Sequence, residues 1–191
     1  MAIGIARSES YYFYRTNITK TGSAKDTLKI RREQAKDCKA IHQLTTEAFS
    51  GLPYSDGSEP HIIDRLRADG DLTLSLLAVS NDNLIGHIAF SPVTIGNHTS
   101  AWYGLGPVSV RPNRQRSGIG SALINEGLRI LKNMGANGCA LIGNPDYYSR
   151  FGFISNGAVQ YEDLEDKYVQ WKSFGEQRPE GVLIYSPGFQ T

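Results

Sequence analysis

The chain has 191 residues, of which 40% are apolar, a length and composition typical of one domain with a sizeable core. Its 20 Lys and Arg residues nearly balance its 19 Asp and Glu residues, and a formal net charge of +1 disfavours a protein built to hold nucleic acid or anionic lipid. No segment reaches the roughly 20 apolar residues of a membrane span, and the N-terminus lacks the apolar core of a signal peptide, so no membrane partner is predicted.

The first 27 residues combine aromatic and polar side chains without any period. We interpret residues 1–27 as an N-terminal extension and residues 28–191 as a single domain. The segment LKIRR, which begins at Leu28, predicts a short strand. Apolar residues at helical spacing after Asp37 predict a helix, and its buried face is Ile41, Leu44 and Ala48.

A second helix is predicted after a segment rich in turn-forming residues, 51–60. Ser58 is its predicted N-cap, and Pro60 lies in its first turn. Its apolar face is formed by Ile62, Ile63 and Leu66.

A three-stranded meander is predicted next. The apolar segments LSLLAVS and LIGHIAFSPVTI flank turn residues at 81–83 and predict an antiparallel hairpin. A further strand is predicted from about Ala101 to Val110.

The most regular helical pattern covers residues 118–134 and stops at Gly135. The apolar run CALIG that follows is typical of a central strand. PDYYSRF then predicts a short helix or turn, GFISN a strand and GVLIYSP a last strand, whereas 161–181 is interpreted as a loop. This order of elements predicts a mixed α/β fold without internal repeats.

The turn before the long helix, within residues 108–124, has the composition of a phosphate site. Its strand is followed by arginines and glycines and then by a helix N-terminus, where free amides and the positive end of the helix dipole both favour an anion. The nucleoside-triphosphate loop motif and the three-glycine dinucleotide motif are both absent. Gly104, Gly106 and Pro107 predict a bulged or splayed strand here.

The hexapeptide QRSGIG at residues 115–120 resembles the Gln/Arg-x-x-Gly-x-Gly/Ala motif of the GNAT superfamily of N-acetyltransferases. The segments LGPVSVRP, IGNPDYYSRFGF and GVLIYSPGF are similar to a bacterial branch of that superfamily. The resemblance covers roughly residues 28–189, and it implies a central, mixed, mostly antiparallel twisted sheet flanked by helices. It also implies transfer of an acetyl group from acetyl-CoA to a primary amine.

Site residues follow from the same resemblance, position by position. Turn amides would hold the CoA pyrophosphate, and the preceding strand would bind the pantetheine arm through main-chain groups. The implied cofactor-binding residues are Val108, Ser109, Val110, Gln115, Arg116, Ser117, Gly118, Ile119, Gly120 and Ser121. Asn144 is either a helix cap or a ligand of the pantetheine amide, and we favour the second role.

Tyr148 resembles the family's general acid beside the CoA sulfur, because it precedes Gly152 and Phe153 with the expected spacing. A phenol with a pKa near ~10 stays protonated at neutral pH and can donate its proton to a thiolate. Tyr147, its neighbour, is interpreted as a packing residue.

No general base is predicted. Many members of the family carry a Glu on the strand before the turn, and Ala101 to Val110 contains no carboxylate. The segment that usually covers the acceptor site contains Glu47, Asp56, Glu59 and His61. One of them could act through water or fix the amine, but surface carboxylates usually have no chemical role.

The cysteines and histidines predict neither covalent nor metal chemistry. Cys38 and Cys139 are too few for a disulfide framework, which points to a reducing compartment, with the cytoplasm as the default. Because Cys139 opens an apolar run, direct acetyl transfer is preferred over an acetyl-cysteine route. The histidines lack His-Glu-x-x-His or Cys-x-x-Cys neighbours, so no metal is predicted; they are His42, His61, His87 and His98.

Two functions of other classes remain open at this stage. A non-catalytic module that senses acyl-CoA would fit the missing strand carboxylate. A nucleic-acid-binding domain is disfavoured by the short basic cluster and the low net charge. The acceptor is either a small-molecule amine or a protein amino group, and a homodimer is possible because dimers are common in the family.

Overall fold

The computed structural model describes residues 12–13 and 28–190. The predicted extension at 1–27 lies outside the described residues apart from Tyr12–Phe13, which form strand β1. The other strands are β2 (Lys29–Arg32), β3 (Leu74–Ser80), β4 (Asn83–Ile95), β5 (His98–Val110), β6 (Gly138–Ile142), β7 (Val159–Gln160), β8 (Val169–Ser173) and β9 (Gly181–Tyr185). The α-helices are α1 (Cys38–Phe49), α2 (Glu59–Asp69), α3 (Ile119–Asn133) and α4 (Pro145–Tyr148).

Within the described residues, the strands form one nine-stranded sheet. Its main path runs β1-β2-β3-β4-β5-β6-β8, and β9 pairs with the second half of β4 and with β7. The β5–β6 and β7–β9 pairs are parallel, and the other pairs are antiparallel. The mixed, mostly antiparallel sheet expected from the sequence is thereby confirmed.

The predicted meander is present as β3, β4 and β5. The β3–β4 turn consists of Asn81 and Asp82, whose φ angles are 48° and 61°. Positive φ at both central residues is the geometry of a two-residue hairpin turn, and Asn and Asp tolerate it better than most residues. A local turn signal therefore sets the register of the long central pair.

Helices cover both faces of the sheet. On one face, α1 and α2 pack on β3 and β4 through Ile41, Ile63, Leu77 and Ala89. On the other face, α3 packs against residues such as Ile88 and Phe90 of β4. Because side chains alternate along a strand, neighbouring β4 residues supply both layers. Among the described helices, none is long and apolar enough to cross a bilayer.

Two sequence interpretations were wrong. GFISN does not form a strand, because only Ile154 bridges Trp171 there as an isolated pair. The segment 161–181, interpreted as a loop, contains β8, which pairs with β6 along its whole length. Gln170 is buried in β8 and donates its amide to the Gly143 carbonyl, so its polar side chain masked the strand pattern.

Candidate functional site

Strand β5 separates from strand β6 partway along its length. It pairs with β6 only from Trp102 to Gly104, whereas its pairing with β4 continues to Val110. The register with β4 shifts between Ile88 and Phe90, where β5 carries one extra residue beside Pro107. The bulge expected from the Gly and Pro content is confirmed, and it opens one edge of β5.

The open edge presents main-chain groups of two residues. The Arg111 amide donates to the Ile85 carbonyl at 3.0 Å, so alternate β5 residues from this point bond to β4. The main-chain groups of Val108 and Val110 consequently point away from β4. The Gln115 side-chain amide donates to the Val110 carbonyl at 3.2 Å from that open side.

Ser109 occupies the opposite position. Its main chain faces β4, where it pairs with His87, and its side chain is fully buried. The Ser109 hydroxyl donates to Thr45 Oγ1 at 3.0 Å, which fixes β5 against α1. Of the three predicted strand residues, Val108 and Val110 are therefore the ones whose main-chain groups point away from β4.

The turn that follows holds a row of free amides at the start of α3. Arg116 and Gly118 adopt left-handed φ angles of 59° and 86°. The Ser117 hydroxyl donates to the Arg114 carbonyl at 2.5 Å, which tightens the turn. The first helical bond runs from Ala122 to the Gly118 carbonyl, so amides 118–121 have no partner within the helix.

Side chains around the turn are arranged so that the amides stay accessible. Gln115, Arg116 and Ser117 are exposed, whereas Ile119 is buried against Gly86 and offers only its main chain. A Cβ on Gly120 would lie 3.0 Å from the Tyr147 hydroxyl. This contact places α4 directly beside the turn, together with the open edge of β5.

Asn144 caps α4. Its side-chain oxygen accepts a hydrogen bond from the Asp146 amide at 2.9 Å, as an N-cap does. The structure thus shows Asn144 as a helix cap, and its binding of the pantetheine amide stays a prediction.

Tyr148 lies at the end of α4 and packs against Gly143, which directly follows β6. The space bordered by the α3 turn, the open edge of β5 and α4 is called the groove below. Its ring edge lies 2.4 Å from the position of a Cβ on Gly143, so only glycine fits there. Phe153 packs against the same ring at 6.1 Å between centroids. Burial raises the pKa of Tyr148 well above the ordinary value, with smaller contributions from Tyr147 and Tyr54. The phenol is therefore protonated at every physiological pH.

Among residues 28–190, no side chain or main-chain group forms a hydrogen bond with the Tyr148 hydroxyl. A protonated hydroxyl with an unused donor can serve a thiolate that enters the groove. The role of Tyr148 as general acid stays a prediction.

Two tyrosines near this point escaped the sequence analysis. Tyr185 of β9 packs on Gly104, where a Cβ would lie 2.7 Å from its ring, and burial raises its pKa far above the ordinary value. Tyr54, in the α1–α2 loop, is 76% exposed yet contributes to the pKa of Tyr148. No local motif marks either residue, because strand pairing and loop placement bring them here.

A cleft of about 330 Å³ lies between the end of α1, the α1–α2 loop and the start of α2. Asp56 and Glu59 line it, and Glu59 accepts a hydrogen bond from Ser55 at 2.8 Å. Glu47 lies outside the lining and pairs with Arg111 at 3.3 Å. The lining contains two carboxylates and no basic side chain, so the cleft is acidic.

Other ionisable groups are unsuited to proton transfer or covalent chemistry. His87 is fully buried, hydrogen-bonds to Ser75 at 2.8 Å, and has its pKa lowered to about 4 by burial. Cys139 is fully buried, and burial raises the pKa of its thiol. The pKa of the Cys38 thiol is raised as well, so neither cysteine is a thiolate at neutral pH.

Comparison with known proteins agrees with this geometry. Residues 38–153 match the acetyltransferase (GNAT) family. The N-acetyltransferase YhbS of Escherichia coli K12 is 36% identical over 125 residues, which is 65% of this chain and 72% of the relative.

Two solved structures are also similar. A GNAT family acetyltransferase from Brucella melitensis in complex with acetyl-CoA is 45% identical, with a TM-score of 0.77 over 85% of this chain and 98% of that one. YhbS from E. coli in complex with CoA is 27% identical, with a TM-score of 0.80 over 91% and 97% of the two chains.

Proposed function

The chain belongs to the GNAT acetyltransferase family, and on that premise we propose that it transfers the acetyl group of acetyl-CoA directly to a primary amine. The observation that carries the proposal is the convergence of three features in one groove. They are the free amides of the α3 turn, the open edge of β5 and the buried, protonated Tyr148.

The turn and the open edge suit the two parts of the cofactor. Amides 118–121, assisted by Arg116 and Ser117, would bind the pyrophosphate at the helix N-terminus. The pantetheine arm would lie along β5 like an added strand and bond to the main chain of Val108 and Val110. The amide of one of these residues would polarise the acetyl carbonyl.

Tyr148 supplies the proton that the reaction needs at sulfur. The amine nitrogen forms a bond to the acetyl carbon, and the carbon–sulfur bond then breaks. Tyr148 donates its proton to the departing thiolate and regains one from solvent. The proton that the attacking amine loses passes to water, because the strand beside the groove offers no carboxylate in residues 98–110.

The acceptor is proposed to be a cation that enters through the acidic cleft. Asp56 and Glu59 would attract a protonated amine, small or carried by a protein, before it loses its proton. An acetyl-cysteine route is disfavoured because Cys139 is buried with its thiol protonated.

Acetyl-CoA is expected to raise the melting temperature by roughly 5 to 11 °C when present at about 100 times its Kd, because a ligand that binds only the folded state stabilises it by about 2.7 kcal/mol. Gly120→Val should abolish this rise, since the side chain would occupy the space between the turn and Tyr147. Differential scanning fluorimetry of both proteins measures the effect.

The matched control is Gly175→Val, because a Cβ at this exposed position meets no atom within 4 Å. It should keep the full rise. The absence of any rise in the wild-type protein at millimolar acetyl-CoA would contradict the cofactor site.

Turnover is tested by following release of the CoA thiol with a broad panel of primary amines. Thiol release that depends on the amine supports the proposal. Acetyl-CoA binding without transfer to any amine would favour a sensing module instead.

A further inference from the structure

We propose that His42, His61 and Asp64 form a binding site for a divalent transition metal that joins α1 to α2. His42 lies in the second turn of α1, and His61 and Asp64 are three residues apart on α2, so they share one face of that helix. One ligand atom from each side chain lies within 4.8 Å of the other two. The proposal goes beyond acetyl transfer and is independent of it.

The distances suit a common metal centre. His42 Nδ1 lies 2.7 Å from Asp64 Oδ2, and the His42 and His61 rings are 5.1 Å apart at 76°. Zinc takes nitrogen and carboxylate ligands at about 2.0–2.2 Å, which places ligand atoms roughly 3.5 Å from one another. The three atoms lie within 4.8 Å of one another on side chains that are partly or wholly exposed, so small rotations would bring them to this separation.

The donor set selects the metal. Two imidazoles and one carboxylate suit Zn²⁺ and its first-row neighbours, whereas Ca²⁺ and Mg²⁺ prefer oxygen ligands. Three protein ligands leave a fourth position for water.

Asp64 is already oriented by a second contact. Arg67 Nη1 donates to Asp64 Oδ1 at 2.7 Å and leaves Oδ2 for the metal. The same guanidinium is anchored through Nε to Glu33 at 2.6 Å. An outer hydrogen bond of this kind fixes the ligating carboxylate, as partners around metal sites usually do.

The position of the site suggests its role. Thr46, one turn after His42, and Pro60, next to His61, line the acidic cleft between the two helices. A metal bound by both helices would hold the two walls of the cleft together. The metal ligands do not include Tyr148, the proposed general acid. The metal would therefore stabilise the cleft and take no part in proton transfer.

The test uses tag-free, metal-stripped protein. Zn²⁺ is titrated by calorimetry, and Co²⁺ is followed by its visible absorption. We expect one metal per chain, an absorption spectrum typical of nitrogen and oxygen ligands, and a rise in melting temperature with Zn²⁺. His61→Ala, at an exposed position, should weaken binding at least about tenfold, because it removes one of three ligands.

His98→Ala is the matched control, because His98 lies in β5, outside the cluster. It should bind Zn²⁺ like the wild-type protein. The proposal is overturned if the wild-type protein shows no stoichiometric binding, or if His61→Ala binds as tightly. Either result would leave His42 and Asp64 as a hydrogen-bonded pair without a metal and would leave the acetyl-CoA measurements unaffected.

Discussion

Replacing Tyr148 with phenylalanine is expected to lower kcat by about 10² or more while the affinity for acetyl-CoA stays unchanged. The substitution removes one oxygen atom and keeps the ring that packs on Gly143 and Phe153. The thiolate would then leave without the proton donor that we propose for it. Steady-state kinetics with a reactive amine, together with acetyl-CoA titration, separate the two quantities.

Tyr161→Phe is the matched control. It removes the same atom from a partly exposed tyrosine whose ring packs on Tyr185. Its kcat should stay within about twofold of the wild-type value, because the Tyr161 hydroxyl interacts with Glu162 after β7. A Tyr148→Phe enzyme with unchanged kcat would remove Tyr148 from the acid role.

Acidification from pH 7.5 to about 4 is expected to cost about 3 kcal/mol of stability through His87 alone. Burial lowers the pKa of His87 from 6.5 to about 4, and each pKa unit corresponds to about 1.4 kcal/mol. The unfolded chain therefore binds this proton first as the pH falls. The stabilisation is fully present above pH 6.5 and is lost as the pH approaches 4.

His87 belongs to a hydrogen-bond network that also includes Glu33, and protonation of Glu33 lowers the stability of the fold as well. His87 contacts Ser75, whose hydroxyl also bonds to Glu33, and Glu33 pairs with Arg67. Burial raises the pKa of Glu33, but the bonds from Arg67 and Ser75 outweigh it, so the pKa is lowered overall. Protonation of Glu33 adds to the loss of stability at the acid end of the range.

Urea unfolding of the wild-type protein and His87→Gln at pH 7.5 and pH 4.5 measures the His87 contribution. The variant keeps a polar group for Ser75 and cannot titrate, so its stability should depend less steeply on pH. His98→Gln, at a partly exposed histidine, should keep the wild-type slope. Equal pH dependence in His87→Gln and the wild-type protein would show that His87 does not carry the effect.

Elements with a local signal were predictable. The α3 helix begins at Ile119 and ends at Asn133, within a residue of the predicted bounds, because its apolar period and the glycines at both ends are contiguous in the chain. The hairpin turn at Asn81 and Asp82 was predictable for the same reason.

Elements that depend on partners distant in the sequence were not predictable. VQWKS of β8 is a strand because it pairs with β6 and buries Gln170, whose amide finds the Gly143 carbonyl. GFISN has the apolar pattern of a strand, but apart from the single bridge from Ile154 to Trp171 it has no partner there within the described sheet. Strand propensity is decided by pairing and burial more than by the residues themselves.

The same division applies to the site. The sequence by itself determined the family resemblance and the position of the turn that we propose binds phosphate, because the amides of 118–121 and the residues before them are neighbours in the chain. Tertiary structure alone decided which main-chain groups of β5 stay open and where Tyr185 lies. It also brought His42 beside His61 and Asp64 from separate helices. Helix packing and strand register create such contacts between residues far apart in sequence, and no short motif records them.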